Sequence, residues 1–258
     1  MVKLIYCLRR LPHLSRKEFQ EYWRENHGPL VHSFQDVMHL RRYVQCHTFS
    51  YDWLDSSQRA TGRSEPFDGV AELWWESRED FAPVNRTQAR QHADSALYQD
   101  ELKFIDIPRS PVWLTEEYPF ITAVPEAGEG AEPDNRVKFI YPLRKLPNLT
   151  RAQFQHYWLM NHGPLVLSFH PAMKVQRYIQ SHTMYEAINM QMQLERNRVD
   201  YYDGVAELWW DSLETYTPES KESAHAKANR ILFEDEQKFI DHTQSPMFLT
   251  REYVFVNR

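Results

Sequence analysis

Residues 15–47 recur, with the same spacing, at residues 150–182. Both stretches read F-Q-x-Y-W-x-x-N-H-G-P-L-V-x-S-F and then R-Y-x-Q-x-H, displaced by 135 positions. The same offset carries Val2 onto Val137, Asp68 onto Asp203, Glu72 onto Glu207 and Tyr118 onto Tyr253 without a gap. A period this long means one supersecondary unit made twice, each copy long enough to bury a core of its own. The chain therefore divides into residues 1–122, a Pro-, Gly- and Glu-rich connection at 123–136, and residues 137–258. Whatever site one copy builds, the other is expected to build as well.

The elements within a copy can be read from periodicity. Val2–Leu8 is a β-rich run. Ser15 and Glu18 form a capping-box signature, repeated by Thr150 and Gln153, and start a helix that buries Phe19, Tyr22 and Trp23. Asn26-His27-Gly28-Pro29 should stop it, and Leu30, Val31 and Phe34 suggest a short second segment. Residues 41–49 and 68–75 alternate as strands, Ser77 and Ser212 look like caps, a helical pattern resumes near Leu97, and residues 111–115 give a fourth strand. Each copy is thus β-α-β-β-α-β, a ferredoxin-like α+β unit with helices on one face of its sheet. The bare faces of the two sheets are expected to turn toward each other, forming an eight-stranded barrel with a lumen. Residues 50–66 and 185–201 are loops of equal length that share almost nothing, the first polar, the second Met-rich and open to a helical reading. Divergent segments on a common scaffold are where specificity tends to sit.

Composition removes several functional classes. The net charge is −6 with no basic stripe, which argues against nucleic acid and anionic membrane surfaces as partners. No apolar run approaches the roughly 20 residues of a membrane span. The chain enters a strand at once, so no signal peptide is expected. Cys7 and Cys46 align with Pro142 and Ser181, which fits a reducing cytoplasm better than a disulfide framework. With only 7 glycines there is neither G-x-G-x-x-G nor a P-loop, and G-x-S-x-G, H-E-x-x-H and C-x-x-C are missing too. The 8 Trp, 14 Tyr and 14 Phe suit a pocket for an apolar or aromatic small molecule, or simply large cores.

Strand alternation assigns candidate site residues to faces. Val44 and Cys46 are expected beneath the helices, and Tyr43, Gln45 and His47 in the lumen, with Tyr178, Gln180 and His182 repeating them. Asp68, Val70, Glu72 and Trp74 should share the lumen face, as should Asp203, Glu207 and Trp209. The expected catalytic set is His47, Glu72, Tyr43 and His27, with His182, Glu207, Tyr178 and His162. Imidazole, carboxylate and phenol converging on one molecule perform acid–base work. Gln45, Trp74 and Asp68, with Gln180, Trp209 and Asp203, would line the substrate. Structural readings stand beside these: Glu72 and His47 satisfying each other, His27 capping a helix end, Asp68 closing a strand. A two-His, one-carboxylate metal triad of His27, His47 and Glu72 ranks below acid–base work, so neither metal nor cofactor is expected.

These motifs resemble the EthD family of the dimeric α+β barrel superfamily. The match rests on F-x-x-Y-W-x-x-N/H-H-x-P-L, R-Y-x-Q-x-H, D-G-V-A-E-L-W-W-x-S and the late D-E-x-K-F-I-D at Asp100–Asp106 and Asp235–Asp241. The resemblance implies a pocket that uses His with Tyr or a carboxylate. It also implies a reaction drawn from cofactor-free lyases, dehydratases, cyclases, lactone isomerases and cofactor-independent monooxygenases, with haem enzymes more distant. A tandem chain looks like the family's usual dimer made covalent, and the fused chains could pair further into a homodimer. The expected function is a cofactor-independent, dehydratase-like lyase acting on a small aromatic or alicyclic carbonyl compound. An isomerase, an oxidative enzyme and a non-catalytic ligand binder are the alternatives.

Overall fold

The computed structural model describes residues 1–82, 86–124, 127–130, 134–196 and 199–258. The first half runs β1 (Val2–Leu8), α1 (Arg16–Tyr22), α2 (Gly28–Ser33), β2 (Arg42–Phe49), α3 (Asp52–Ala60), β3 (Gly69–Trp75), α4 (Arg78–Phe81), α5 (Gln88–Glu101) and β4 (Val112–Thr122). The second repeats it as β5 (Val137–Leu143), α6 (Arg151–Tyr157), α7 (Gly163–Met173), β6 (Arg177–Thr183), α8 (Glu186–Arg196), β7 (Gly204–Trp210), α9 (Leu213–Tyr216), α10 (Ala224–Glu236) and β8 (Phe248–Asn257). The strands close in the order β1-β3-β2-β8-β5-β7-β6-β4, every pairing antiparallel. The two sheets do meet in one barrel with helices outside. Each closes on the other because β4 and β8 outrun the expected 111–115 and 246–250: their first halves pair at home and their second halves pair with β6 and β2.

Both capping boxes form as the sequence predicts. The chain does not stop at His27-Gly28-Pro29, however. It passes through one wide π turn, Trp23–His27, directly into α2, and Trp158–His162 does the same before α7. Gly28 is right-handed, so a left-handed cap is not why glycine is there. A Cβ at Gly28 would lie 2.3 Å from the Phe255 ring and 2.9 Å from Gln45 Nε2, so close packing excludes any other residue. Pro29 occupies the first turn of α2, where its missing N–H costs nothing.

Both divergent segments form helices, the second in keeping with its helical reading and the first in place of the expected loop, and each crosses to the other half. Leu54 of α3 belongs to the second half's core, while Ile188 and Met192 of α8 pack on the first half's. Residues 197 and 198 of the second segment lie outside the described residues. The expected solvated linker is partly outside them too, at 125–126 and 131–133. Of the rest, Gly130 donates its N–H to the Val254 carbonyl (2.9 Å) and Ala127 packs against the barrel interior.

Candidate active site between sheet and helices

One face assignment is inverted. Val44 and Cys46 point into the barrel with Ile5, Cys7, Val70 and Val254, while Tyr43, Gln45 and His47 lie beneath the helices. Directly opposed residues of neighbouring strands share a face. Register therefore decides the question: His47 faces Gly69, Gln45 faces Ala71 and Tyr43 faces Leu73, all on the helix side. Val44 faces Glu72, so His47 and Glu72 lie on opposite sides of the sheet. Neither the expected relay nor the alternative metal triad can assemble. Alternation separated the two sets correctly but could not say which set wants the helices. Trp23 does. It sits over Gly69, where a Cβ would come within 2.5 Å of its ring, and stacks on His47 at 4.7 Å with planes 4° apart.

His47 is held there as a structural group. Its Nε2 bonds Gln45 Oε1 (2.9 Å), and Tyr253 packs on its other side. Burial, with Arg24 nearby, lowers its pKa to about 3, so the ring is neutral. His182 repeats this with Gln180, Trp158 and Tyr118, its pKa again lowered to about 3 by burial. Gln45 spends its amide on the Trp23 carbonyl and the Tyr43 hydroxyl, and Gln180 does likewise with Trp158 and Tyr178. Asp68 clamps Arg10 and Arg16, and Asp203 accepts from Lys145 N–H and Arg151.

Glu72 and Glu207 do face the lumen, but the lumen is filled. Lys3 Nζ bonds both oxygens of Glu207 at 2.7 Å, and Lys138 Nζ bonds those of Glu72 at 2.6 and 2.7 Å, each lysine crossing to the other half. Glu117 and Glu252 add contacts at 3.0 and 3.3 Å and accept from the Trp74 and Trp209 indoles. Burial alone would depress Lys3, yet Glu207, Glu72 and Glu117 raise it, so it stays charged. Burial and the neighbouring Glu207 charge push Glu72 up to about 7. Glu207 moves the other way: burial opposes ionisation, but both lysines and the Ser181 hydroxyl (2.6 Å) favour it. A void of only about 20 Å³ remains. Cys46, Glu72 and Glu252 come close enough together for a metal set, but the Lys138 ammonium already bonds both carboxylates.

Room exists instead between sheet and helices, once in each half. A cavity of about 280 Å³ is lined by Tyr43, Ala71 and Trp75 of the sheet and by His27. Its counterpart, about 210 Å³, is lined by Tyr178, Ala206, Trp210 and His162. The π turn puts each histidine at the floor. His27 Nδ1 meets Asp100 Oδ2 at 2.9 Å, and His162 Nδ1 meets Asp235 Oδ2 at 2.8 Å. Tyr22 and Lys103 hold the other Asp100 oxygen at 2.6 and 2.9 Å, as Tyr157 and Lys238 hold that of Asp235 at 2.7 and 2.9 Å. The His27 hydrogen bond, then Tyr22 and Lys103, overcome burial and keep Asp100 well below the usual carboxylate range, and Asp235 behaves alike. A carboxylate so placed selects the tautomer protonated at Nδ1, which leaves Nε2 without a proton in the neutral ring, and each ring lines its cavity. The sequence reading missed Asp100 and Asp235 as partners. Their signal was Tyr22, Asp100 and Lys103 recurring together at the 135-residue offset.

Tyr43 completes the wall. Its oxygen accepts from Trp23 Nε1 (3.1 Å) and Gln45 Nε2 (2.9 Å), which leaves its own proton to donate, and burial raises its pKa so that the proton stays on. Of the expected residues, then, His27 and Tyr43 share one cavity and His162 and Tyr178 the other. His47, Glu72, Gln45, Trp74, Asp68 and their copies line neither. Both volumes fall below the roughly 300–1,000 Å³ that hold drug-sized ligands. A haem does not fit them as they stand.

This architecture, two β-α-β-β-α-β units sharing one closed barrel with outer helices, is the dimeric α+β barrel within a single chain. The chain belongs to the EthD domain family, which matches residues 11–108 and again 146–243. Among curated proteins, no sequence matches it. Solved structures share the fold at low identity. One from Fusobacterium nucleatum, provisionally described as a monooxygenase, is 8% identical with a TM-score of 0.50, covering 98% of this chain and 92% of that one. Another, provisionally described as a chlorite dismutase, is 12% identical at 0.50, covering 97% and 93%. A Lactobacillus acidophilus protein, also provisionally described as a monooxygenase, is 10% identical at 0.49, covering 99% and 96%.

Proposed function

We propose that the protein is a cofactor-independent acid–base enzyme of the dehydratase-like lyase kind, acting on small carbonyl compounds in the two helix–sheet cavities. The observation that supports this best is the His–Asp pair at 2.8–2.9 Å on the floor of both. Nε2 of His27 or His162 removes a proton α to the carbonyl. The enolate oxygen takes a hydrogen bond from Tyr43 or Tyr178, whose phenol is already fixed by Gln45 or Gln180. The imidazolium, stabilised by Asp100 or Asp235, returns its proton to a β-hydroxyl, which departs as water while the double bond forms. Returning the proton to carbon instead gives an isomerase, so substrate rather than machinery separates the two outcomes.

The test follows solvent deuterium entering C1 of 2-tetralone by NMR. Wild-type protein should accelerate exchange, and the double variant His27→Gln, His162→Gln should lose roughly 10²–10⁴-fold of that acceleration. Equal rates in the two proteins contradict the assignment.

A further inference from the structure

Each cavity is finished by the opposite half. The His27 cavity is closed by Ile188, Gln191, Met192 and Glu195 of α8, and the His162 cavity by Trp53, Leu54 and Ser57 of α3 with Thr61 and Arg63 after it. These covers are bolted down rather than draped. Asn189 Oδ1 accepts the Leu114 N–H at 2.8 Å, and Gln58 Oε1 accepts that of Met247 at 3.0 Å. Arg63 Nη1 reaches the Tyr141 hydroxyl (2.6 Å) and the Ser245 carbonyl (3.0 Å). The two covers are also in register: Trp53 and Ile188, and Ser57 and Met192, stand at the 135-residue offset and one turn apart on their helices.

The catalytic residues beneath are the same in both halves, yet the covers differ in shape. Position by position, the His162 cavity offers Trp53, Phe139 and Tyr216 where the His27 cavity offers Ile188, Leu4 and Phe81. Phe139 stacks on Tyr216 (6.2 Å, 30°), and Trp53 meets the same ring edge-on (5.8 Å, 86°). Packed on one another, the three rings give this side of the cavity a continuous aromatic wall. The other cavity keeps one ring there, Phe81, beside branched Leu4 and Ile188 and flexible Met192, a wall that accepts a thicker, non-planar body.

We propose that the exchanged helices are the specificity elements: Trp53 and Ser57 commit the His162 site to a planar aromatic ligand, while Ile188 and Met192 commit the His27 site to an alicyclic or aliphatic one. The inference rests on the cavities named above as the ligand sites and does not need either of them to catalyse. Calorimetric titration of the full chain with 1-naphthol, and with its saturated analogue decahydro-1-naphthol, tests it. Wild-type protein should bind one equivalent of each. The pair Trp53→Ile, Ser57→Met should weaken 1-naphthol about tenfold and raise the stoichiometry of the saturated alcohol from one to two. The reciprocal pair Ile188→Trp, Met192→Ser should raise the 1-naphthol stoichiometry from one to two. Trp53 is 44% exposed, so its replacement should leave the circular dichroism spectrum intact. Failure of wild-type protein to bind 1-naphthol overturns the proposal, as do affinities and stoichiometries that neither pair alters. Tight, Trp53-dependent binding without deuterium exchange would sink the acid–base reading and leave this one standing.

Discussion

Neutral burial of His47 and His182 makes folding stability depend on pH. An unfolded histidine protonates near 6.5, whereas burial holds each of these at about 3. A folded pKa below the unfolded one means the unfolded chain gains protons first. The stabilisation is therefore fully present above about pH 6.5 and is lost as pH falls from there toward the folded value. Between pH 7 and pH 5 each ring forfeits about 2 kcal/mol of folding stability, about 4 kcal/mol together. Glu72, pushed up to about 7, works in the opposite sense over the same interval, being stabilising when protonated and losing that stability as pH rises toward 7. Its contribution cancels when wild-type protein is compared with the double variant His47→Gln, His182→Gln. An amide there can still bond Gln45 or Gln180 but does not titrate. Urea unfolding at both pH values gives four free energies. The drop from pH 7 to pH 5 should be about 4 kcal/mol smaller in the variant. Equal drops would mean that the two rings protonate in the fold, and the stacked, structural description of them would be wrong.

Replacing Asp100 and Asp235 by Asn frees the wrong imidazole tautomer, so turnover in the deuterium-exchange assay should fall by about 10³–10⁴-fold with affinity for ligand little changed; an unaltered rate argues that the carboxylates do not set the tautomer. Gly163→Ala drives a Cβ toward Phe120, 2.2 Å away, and should lower stability by roughly 1–3 kcal/mol in urea titration; a neutral result would mean the Phe120 ring yields freely. Lys138→Met strips Glu72 of both its bonds and should cost about 3–5 kcal/mol, whereas the joint change Lys138→Met, Glu72→Leu should recover much of that loss. An additive double variant would show that the pair is not coupled.

The fold was legible because duplication, capping boxes and strand alternation all point the same way. The inward side of β3 was read correctly, since Glu72 and Trp74 alternate with glycine and alanine that only a helix-covered face needs. On β2 both sets contain groups able to live in either layer, and nothing local to Arg42–Phe49 encodes that Trp23 lies over Gly69. The histidines at 27 and 162 were visible in H-G-P, but their partners at 100 and 235 are 73 residues away, and only packing joins them. Lys3 and Lys138 were not singled out, because no one-dimensional pattern shows that β1 and β5 meet the opposite half's glutamates in the barrel. The first divergent segment was read as a polar loop, and the second as Met-rich with a helical reading left open. Their helical form depends on tertiary contact, with Leu54 buried and Ile188 partly buried against a core half a chain away.

The central claim is that small molecules enter the space between helices and sheet rather than the barrel. Difference electron density from crystals soaked in 1-naphthol reads this directly. The account predicts density over Ala206 with the naphthol oxygen within hydrogen-bond reach of His162 Nε2. Density inside the barrel, against Lys3 and Lys138, would contradict it.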